Sequence, residues 1–138
     1  MERLLPIEVD LRTVSPLNLA FVGDGVYELM VRERLVSLAN RPNKELHKLS
    51  VAQVRAEAQA AALDKLYPYL TEQEEAVYRR GRNAHTSRTG NGYHKATGLE
   101  ALFGYLYLSG QVERVRELFQ YTLEEKEGEA VEKETVCP

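Results

Sequence analysis

A chain of 138 residues is long enough to bury a real core and short enough to form one domain. Hydrophobic residues make up 43% and charged residues 28%, the proportions of an ordinary soluble globular protein, and no apolar run reaches membrane-spanning length. The single cysteine, Cys137, excludes a disulfide framework and points to a reducing cytoplasm, the start M-E-R-L-L-P-I-E is not a secretion signal, and the net charge of −3 is modest but unevenly spread.

Met1 to Val14 shows no clean periodicity and reads as an extended arm. Ser15-Pro16 is a helix start, with serine as N-cap and proline at the first helical position. The helix is expected from Pro16 to about Ala39. Leu19, Val22, Val26, Leu29 and Met30 form one apolar face, and Leu17, Phe21, Asp24 and Glu28 share the other, so burial on two sides is expected. Gly23 and Gly25 weaken a helix interior and suit a place where another backbone comes close.

Asn40-Arg41-Pro42 breaks the pattern, and Asn43 is expected to cap a second helix. Leu46, Leu49, Ala52, Ala56, Ala60 and Leu63 carry that helix as one unit to Pro68. Thr71-Glu72-Gln73-Glu74 spells a capping box, starting a third helix that fades near Gly81. Arg82 to Tyr93 reads as a loop, with turn formers at Gly90-Asn91-Gly92. A helix resumes near His94 and runs to Leu108, and Ser109-Gly110 turns into a last helix from about Gln111. No strand pattern or internal repeat is visible. The fold class is all-α, with residues 1–126 as one domain and 127–138 as an acidic tail whose composition reads as disordered.

Charge is segregated along the chain. Ala76 to Leu99 holds Arg79, Arg80, Arg82, Arg88 and Lys95 and no acid, while Glu124 to Glu134 holds six glutamates against two lysines. A polyanion responds to the local field, so the basic run is a candidate nucleic-acid surface. Its arginines, with Asn83, Thr86, Ser87 and Thr89, suit phosphate and sugar oxygens, and His85 is a candidate RNA contact. The plain reading of the same run is a solvated loop.

Two acids stand in oily surroundings. Asp24 lies between two glycines in L-N-L-A-F-V-G-D-G-V-Y-E, and Glu100 lies in K-A-T-G-L-E-A-L-F-G-Y-L-Y-L. An acid in such a place is costly unless paired. One option is that both hold Mg²⁺, which takes one or two carboxylates plus water and phosphate oxygens. The other is that each caps a helix, pairs with an arginine or faces solvent. Glu28, one turn after Asp24, suits a further ligand less well than a salt bridge. His47, His85 and His94 lack transition-metal spacing, and there is no phosphate-cradling glycine loop.

F-V-G-D-G-V-Y-E, at Phe21 to Glu28, resembles the signature of the ribonuclease III catalytic domain. L-E-A-L-F-G-Y-L-Y-L, at Leu99 to Leu108, is similar to that domain's second motif, and R-R-G-R-N-A-H-T, at Arg79 to Thr86, resembles the intervening segment of the mini-ribonuclease III branch. The resemblance spans roughly residues 15 to 125. Ala20 and Thr97 stand where the larger family carries further acids, leaving Asp24 and Glu100 as the matching pair.

The resemblance implies a ribonuclease III-like helical bundle that forms a two-fold dimer. It implies catalysis by Asp24 and Glu100 with Mg²⁺, Mn²⁺ substituting. It further implies cleavage of double-stranded RNA in precursor 23S ribosomal RNA to give 5′-phosphates, with a ribosomal protein as a further partner. RNA contacts would fall on Arg79, Arg80, Arg82, Asn83, His85, Thr86, Arg88 and Lys95. Two other readings compete. One is a non-catalytic helical dimer acting in ribosome assembly. The other is a helical nucleotide pyrophosphohydrolase, for which Glu72 and Glu75 have the spacing but no second acidic motif.

Overall fold

Ser15 sets the frame of the molecule. In the computed structural model, which describes residues 2–84 and 92–123, its hydroxyl accepts from the Asn18 N–H and opens helix α1, Pro16–Leu38. Among the described residues five further helices follow: α2 (Asn43–Val54), α3 (Ala56–Leu66), α4 (Glu72–Arg82), α5 (Tyr93–Leu108) and α6 (Val112–Leu123). A 3-10 turn, Tyr67–Tyr69, leads into α4. No strand occurs among the described residues, so the all-α expectation holds. The expected tail and most of the 82–93 loop lie outside the described residues.

Helix α5 is the axle. Leu99, Leu102, Phe103 and Leu106 are fully buried, and each such side chain contributes about 1.5–3 kcal/mol of transfer free energy. Helices α1, α3, α4 and α6 all pack on α5. Tyr27 of α1 closes one end of the core, its ring centroid 5.5 Å from Phe103 and 5.4 Å from Phe119. Burial pushes its phenol pKa up to about 12, against a smaller opposing effect from the Thr122 hydroxyl.

Four expectations need correction. The second helix is not continuous to Pro68: it stops at Val54, and Arg55 is extended with ψ 158° before α3 begins. Helix α2 docks on α1 while α3 docks on α5, and one straight rod could not serve both. Pro42, not Asn43, holds the N-cap position of α2, with no side-chain bond there. The buried stripe of α1 is also rotated from the expected one. It runs Leu19, Gly23, Tyr27, Val31, Leu35, and it leaves Phe21 at 81% exposure and Leu29 at 44%. Within one chain, burial on two sides is not achieved.

The capping box is present as read. The Thr71 hydroxyl accepts from the Glu74 N–H, and the Glu74 carboxylate accepts from the Thr71 N–H. The same carboxylate takes two bonds from Arg114 of α6, each 2.8 Å, and Arg114 also donates to Tyr69 O at 2.7 Å and to Glu117. Burial would raise the Glu74 pKa, but the Arg114 guanidinium and the Thr71 N–H outweigh it and hold the carboxyl below its ordinary value.

Arg114→Ala therefore strands a buried carboxylate and is expected to cost about 2–4 kcal/mol in a urea titration. Arg114→Lys recovers less than half, because an ammonium cannot match the two-pronged contact. A folded-state pKa below the unfolded one stabilises above the ordinary value of 4.5 and loses that contribution as pH falls through the lowered value. The acid limb of wild-type stability is expected to flatten in Arg114→Ala.

Candidate active site

Asp24 follows Gly23, whose backbone lies against that of Glu100. Helices α1 and α5 cross at Gly23 and Gly104 with almost nothing between them. A Cβ built on Gly23 would stand 1.7 Å from the Glu100 carbonyl oxygen, and one on Gly104 would stand 1.9 Å from that of Leu19. The two acids thus flank one crossing point despite lying far apart in sequence. Asp24 is exposed, and no hydrogen bond or ion pair engages it among the described residues, whereas Glu100 is buried at 6% exposure. Glu28 is held 3.0 Å from Arg32, the salt bridge preferred from its spacing. Gly25, expected to permit a close approach, has no atom of its own chain within 4 Å of a built Cβ.

No group of three or more His, Cys, Asp or Glu side chains converges among the described residues. A cation at this crossing would draw on two carboxylates, with water and phosphate oxygens completing the shell. Those hard oxygen donors fit Mg²⁺, which retains much of its water, better than a softer metal.

The basic run is less bare than its sequence. Arg79 is 2.6 Å from Glu75 one turn earlier, and Lys95 is 3.2 Å from Asp64 of α3, so acids from outside the run neutralise two of its charges. Arg80 is exposed without an ion pair among the described residues. Arg82 lies over the Tyr78 ring, 5.6 Å from its centroid, and bonds to Asn83 at 3.2 Å. Arg79, Arg80 and Arg82 all sit in the last turn of α4, where the helix dipole favours cations. His85, Thr86 and Arg88 lie outside the described residues.

A second basic face went unread in the sequence. Lys44, His47, Lys48 and Val51 are exposed and share one side of α2, and Arg55 follows at its end. The spacing was visible in the chain, but the expected single long helix merged it into an apolar stripe. His47 also lines a cleft of about 130 Å³ against Arg32 of α1, together with Asn43 and Ser50.

A ribonuclease III domain matches residues 17–111, which include both acids and the whole basic run. The chain belongs to the ribonuclease III family. Within that family it is similar to mini-ribonuclease 3 of Symbiobacterium thermophilum, at 49% identity over 78% of this chain and 87% of the relative. The Thermoanaerobacter protein of the same name is 43% identical, over 81% of this chain and 82% of its own. That of Enterococcus faecalis is 40% identical, over 90% and 98%. A crystal structure of a Fusobacterium nucleatum protein superposes with a TM-score of 0.73 at 31% identity, covering 83% of this chain and 95% of that one.

A ribonuclease III domain makes this chain an endoribonuclease of double-stranded RNA that works with a divalent metal. The non-catalytic assembly factor gives way to that finding. The pyrophosphohydrolase fails on geometry as well, because Glu75 is spent on Arg79 and Tyr67. Among the described residues no helix is long and apolar enough to cross a membrane.

Proposed function

We propose that this ribonuclease III domain cleaves paired segments of precursor 23S ribosomal RNA as a Mg²⁺-dependent homodimer in the cytoplasm, with Asp24 and Glu100 as the metal ligands. The observation that carries the reading is the α1–α5 crossing, where Gly23 and Glu100 touch. Bound Mg²⁺ would supply an activated water and charge for the phosphodiester oxygens. Asp24 and Glu100 fix where that charge sits. Hydrolysis joins the water oxygen to phosphorus, and the departing 3′ oxygen takes a proton, leaving a 5′-phosphate and a 3′-hydroxyl.

The homodimer rests on α1. Leu17, Phe21 and Leu29 are exposed along one side of a helix that carries Asp24. A second copy covering that side would bury the apolar set and bring two catalytic centres into one assembly. Mini-ribonuclease 3 relatives carry the ribonuclease activity in their name. Precursor ribosomal RNA as substrate and a ribosomal protein as accessory partner belong to this proposal.

Binding would fall to Arg79, Arg80, Arg82, Asn83 and Lys95, to His85, Thr86 and Arg88, and to the Lys44–Lys48 face. Residue types of this kind suit phosphate and sugar oxygens, so recognition goes through phosphates and A-form shape. Replacing Arg79, Arg80, Arg82 and Arg88 together by Ala is expected to weaken affinity for a paired stem. The slope of log affinity against log salt should fall by about one unit for each phosphate that is no longer neutralised. An unchanged slope would mean that RNA lies elsewhere. Incubating the wild-type protein with a precursor stem, with and without Mg²⁺, and sequencing the product ends tests the reaction itself.

A further inference from the structure

We propose that Tyr67 is a stacking platform for one unpaired base of the RNA, carried by a nucleotide left outside the duplex at its end or in a bulge. The proposal deepens the ribonuclease reading and rests on it for the RNA itself.

The turn Tyr67–Tyr69 sets two tyrosines and Pro68 on the surface. Tyr67 is 39% exposed, yet its ring is held in place. Its hydroxyl donates to Glu75, and its ring meets that of Tyr78 edge to face, with centroids 5.9 Å apart and planes at 72°. An exposed aromatic already fixed in one pose gives up little rotamer freedom when a ligand arrives. Accepting the hydroxyl bond, the Glu75 carboxylate also pushes the Tyr67 pKa up, so the ring stays neutral beside phosphate.

Positive charge surrounds the same ring. Glu75 also holds Arg79 at 2.6 Å, Arg82 lies over the Tyr78 ring, and the exposed Arg80 shares their turn of α4. Three guanidinium groups outweigh the Glu75 carboxylate, so the local field draws a polyanion. An aromatic ring set among cations suits a nucleotide, with the base on the ring and the phosphates on the charges. Tyr69, two residues on, is the contrast. Tyr121 already stacks on it at 3.8 Å, and its carbonyl accepts from Arg114, whose charge is met by Glu74 and Glu117.

The occupant follows from what a duplex offers. Paired bases lie between neighbours in the stack, so only a base outside it can lie flat on a side-chain ring. Such stacking accepts any base, because every base has a π face. Tyr78 ties the platform to α5 at Gly98, where a built Cβ would stand 2.6 Å from the Tyr78 ring, and Glu100 follows two residues later. A base held on Tyr67 therefore sets the stem at a fixed offset from Glu100.

Stems of identical pairing serve as probes for the full chain in chelator: one blunt, one with a single-nucleotide 3′ overhang and one with a single-nucleotide bulge. The unpaired nucleotide is also made abasic. The base is expected to tighten binding about tenfold over its abasic form, within the range one stack supplies. Whether the overhang, the bulge or both show the gain identifies the source, with the blunt stem as the reference for RNA binding as such. Tyr67→Leu, which keeps apolar cover on Tyr78, should abolish the difference, and Tyr67→Phe should keep it. In the wild-type chain, 5-iodouracil at the unpaired position is expected to photocrosslink to Tyr67.

Equal binding of base and abasic forms by the wild type overturns the platform and leaves the ribonuclease reading intact. A base preference that survives Tyr67→Leu does the same, as does a crosslink confined to another part of the chain. Should no stem be bound, blunt or otherwise, the RNA surface proposed above fails and the platform fails with it.

Discussion

Asp24→Asn is expected to abolish cleavage while leaving the fold and the affinity for RNA in place. Asparagine matches aspartate in size but brings no charge, so a hard cation loses one of two carboxylates. The loss in turnover should reach about a thousandfold or more, which corresponds to roughly 4 kcal/mol of transition-state stabilisation. Because Asp24 is exposed on α1 and supports no neighbour among the described residues, thermal unfolding should move little. Stem affinity measured in chelator should match the wild type. Retained cleavage would remove Asp24 from the chemistry.

Gly23→Ala is expected to be the most damaging small substitution in the chain. Its Cβ would arrive 1.7 Å from the Glu100 carbonyl and 2.8 Å from the Gly104 nitrogen, both backbone atoms that cannot rotate away. Overpacking commonly costs about 1–3 kcal/mol, and an unyielding helix crossing belongs at or beyond the top of that range. Any molecules that still fold must hold α1 away from α5, which separates Asp24 from Glu100, so activity should fall further than stability. Gly25→Ala is the contrast, because nothing in its own chain lies within 4 Å. Alanine there gains about 0.5–1 kcal/mol of helix propensity, and any loss measured instead reports a second chain over that face. Denaturant midpoints for the two variants, read beside cleavage rates, separate these effects.

The parts of the fold that were legible in the sequence were those with local chemistry. Ser15-Pro16 and the Thr71–Glu74 box fixed two helix starts without reference to anything distant. Four features resisted because their causes lie elsewhere in the chain. The break at Arg55 carries no glycine or proline, and it comes from α2 and α3 having different partners. The buried stripe of α1 passes through Gly23, a residue with no side chain for a hydropathy pattern to register. The acid-free basic run acquires Asp64 against Lys95 only once α3 packs on α5, whereas Glu75 is an i,i+4 partner of Arg79 on α4 itself. Arg114 showed nothing of its bond to Glu74, forty residues earlier. The pairing of Asp24 with Glu100 came from the motifs around them, since spacing alone left them as two isolated acids.

Helix α5 is hemmed in on nearly every side, whereas α2 buries Ser50 and little else. Most replacements along α5 must therefore satisfy several neighbours at once, while those on the outer side of α2 answer only to solvent and ligand. If the proposed assignment holds, drift on that side would rewrite the grip on nucleic acid without disturbing the proposed bond-breaking centre. Two lineages of this enzyme could then diverge in which duplexes they hold while cutting them by identical chemistry.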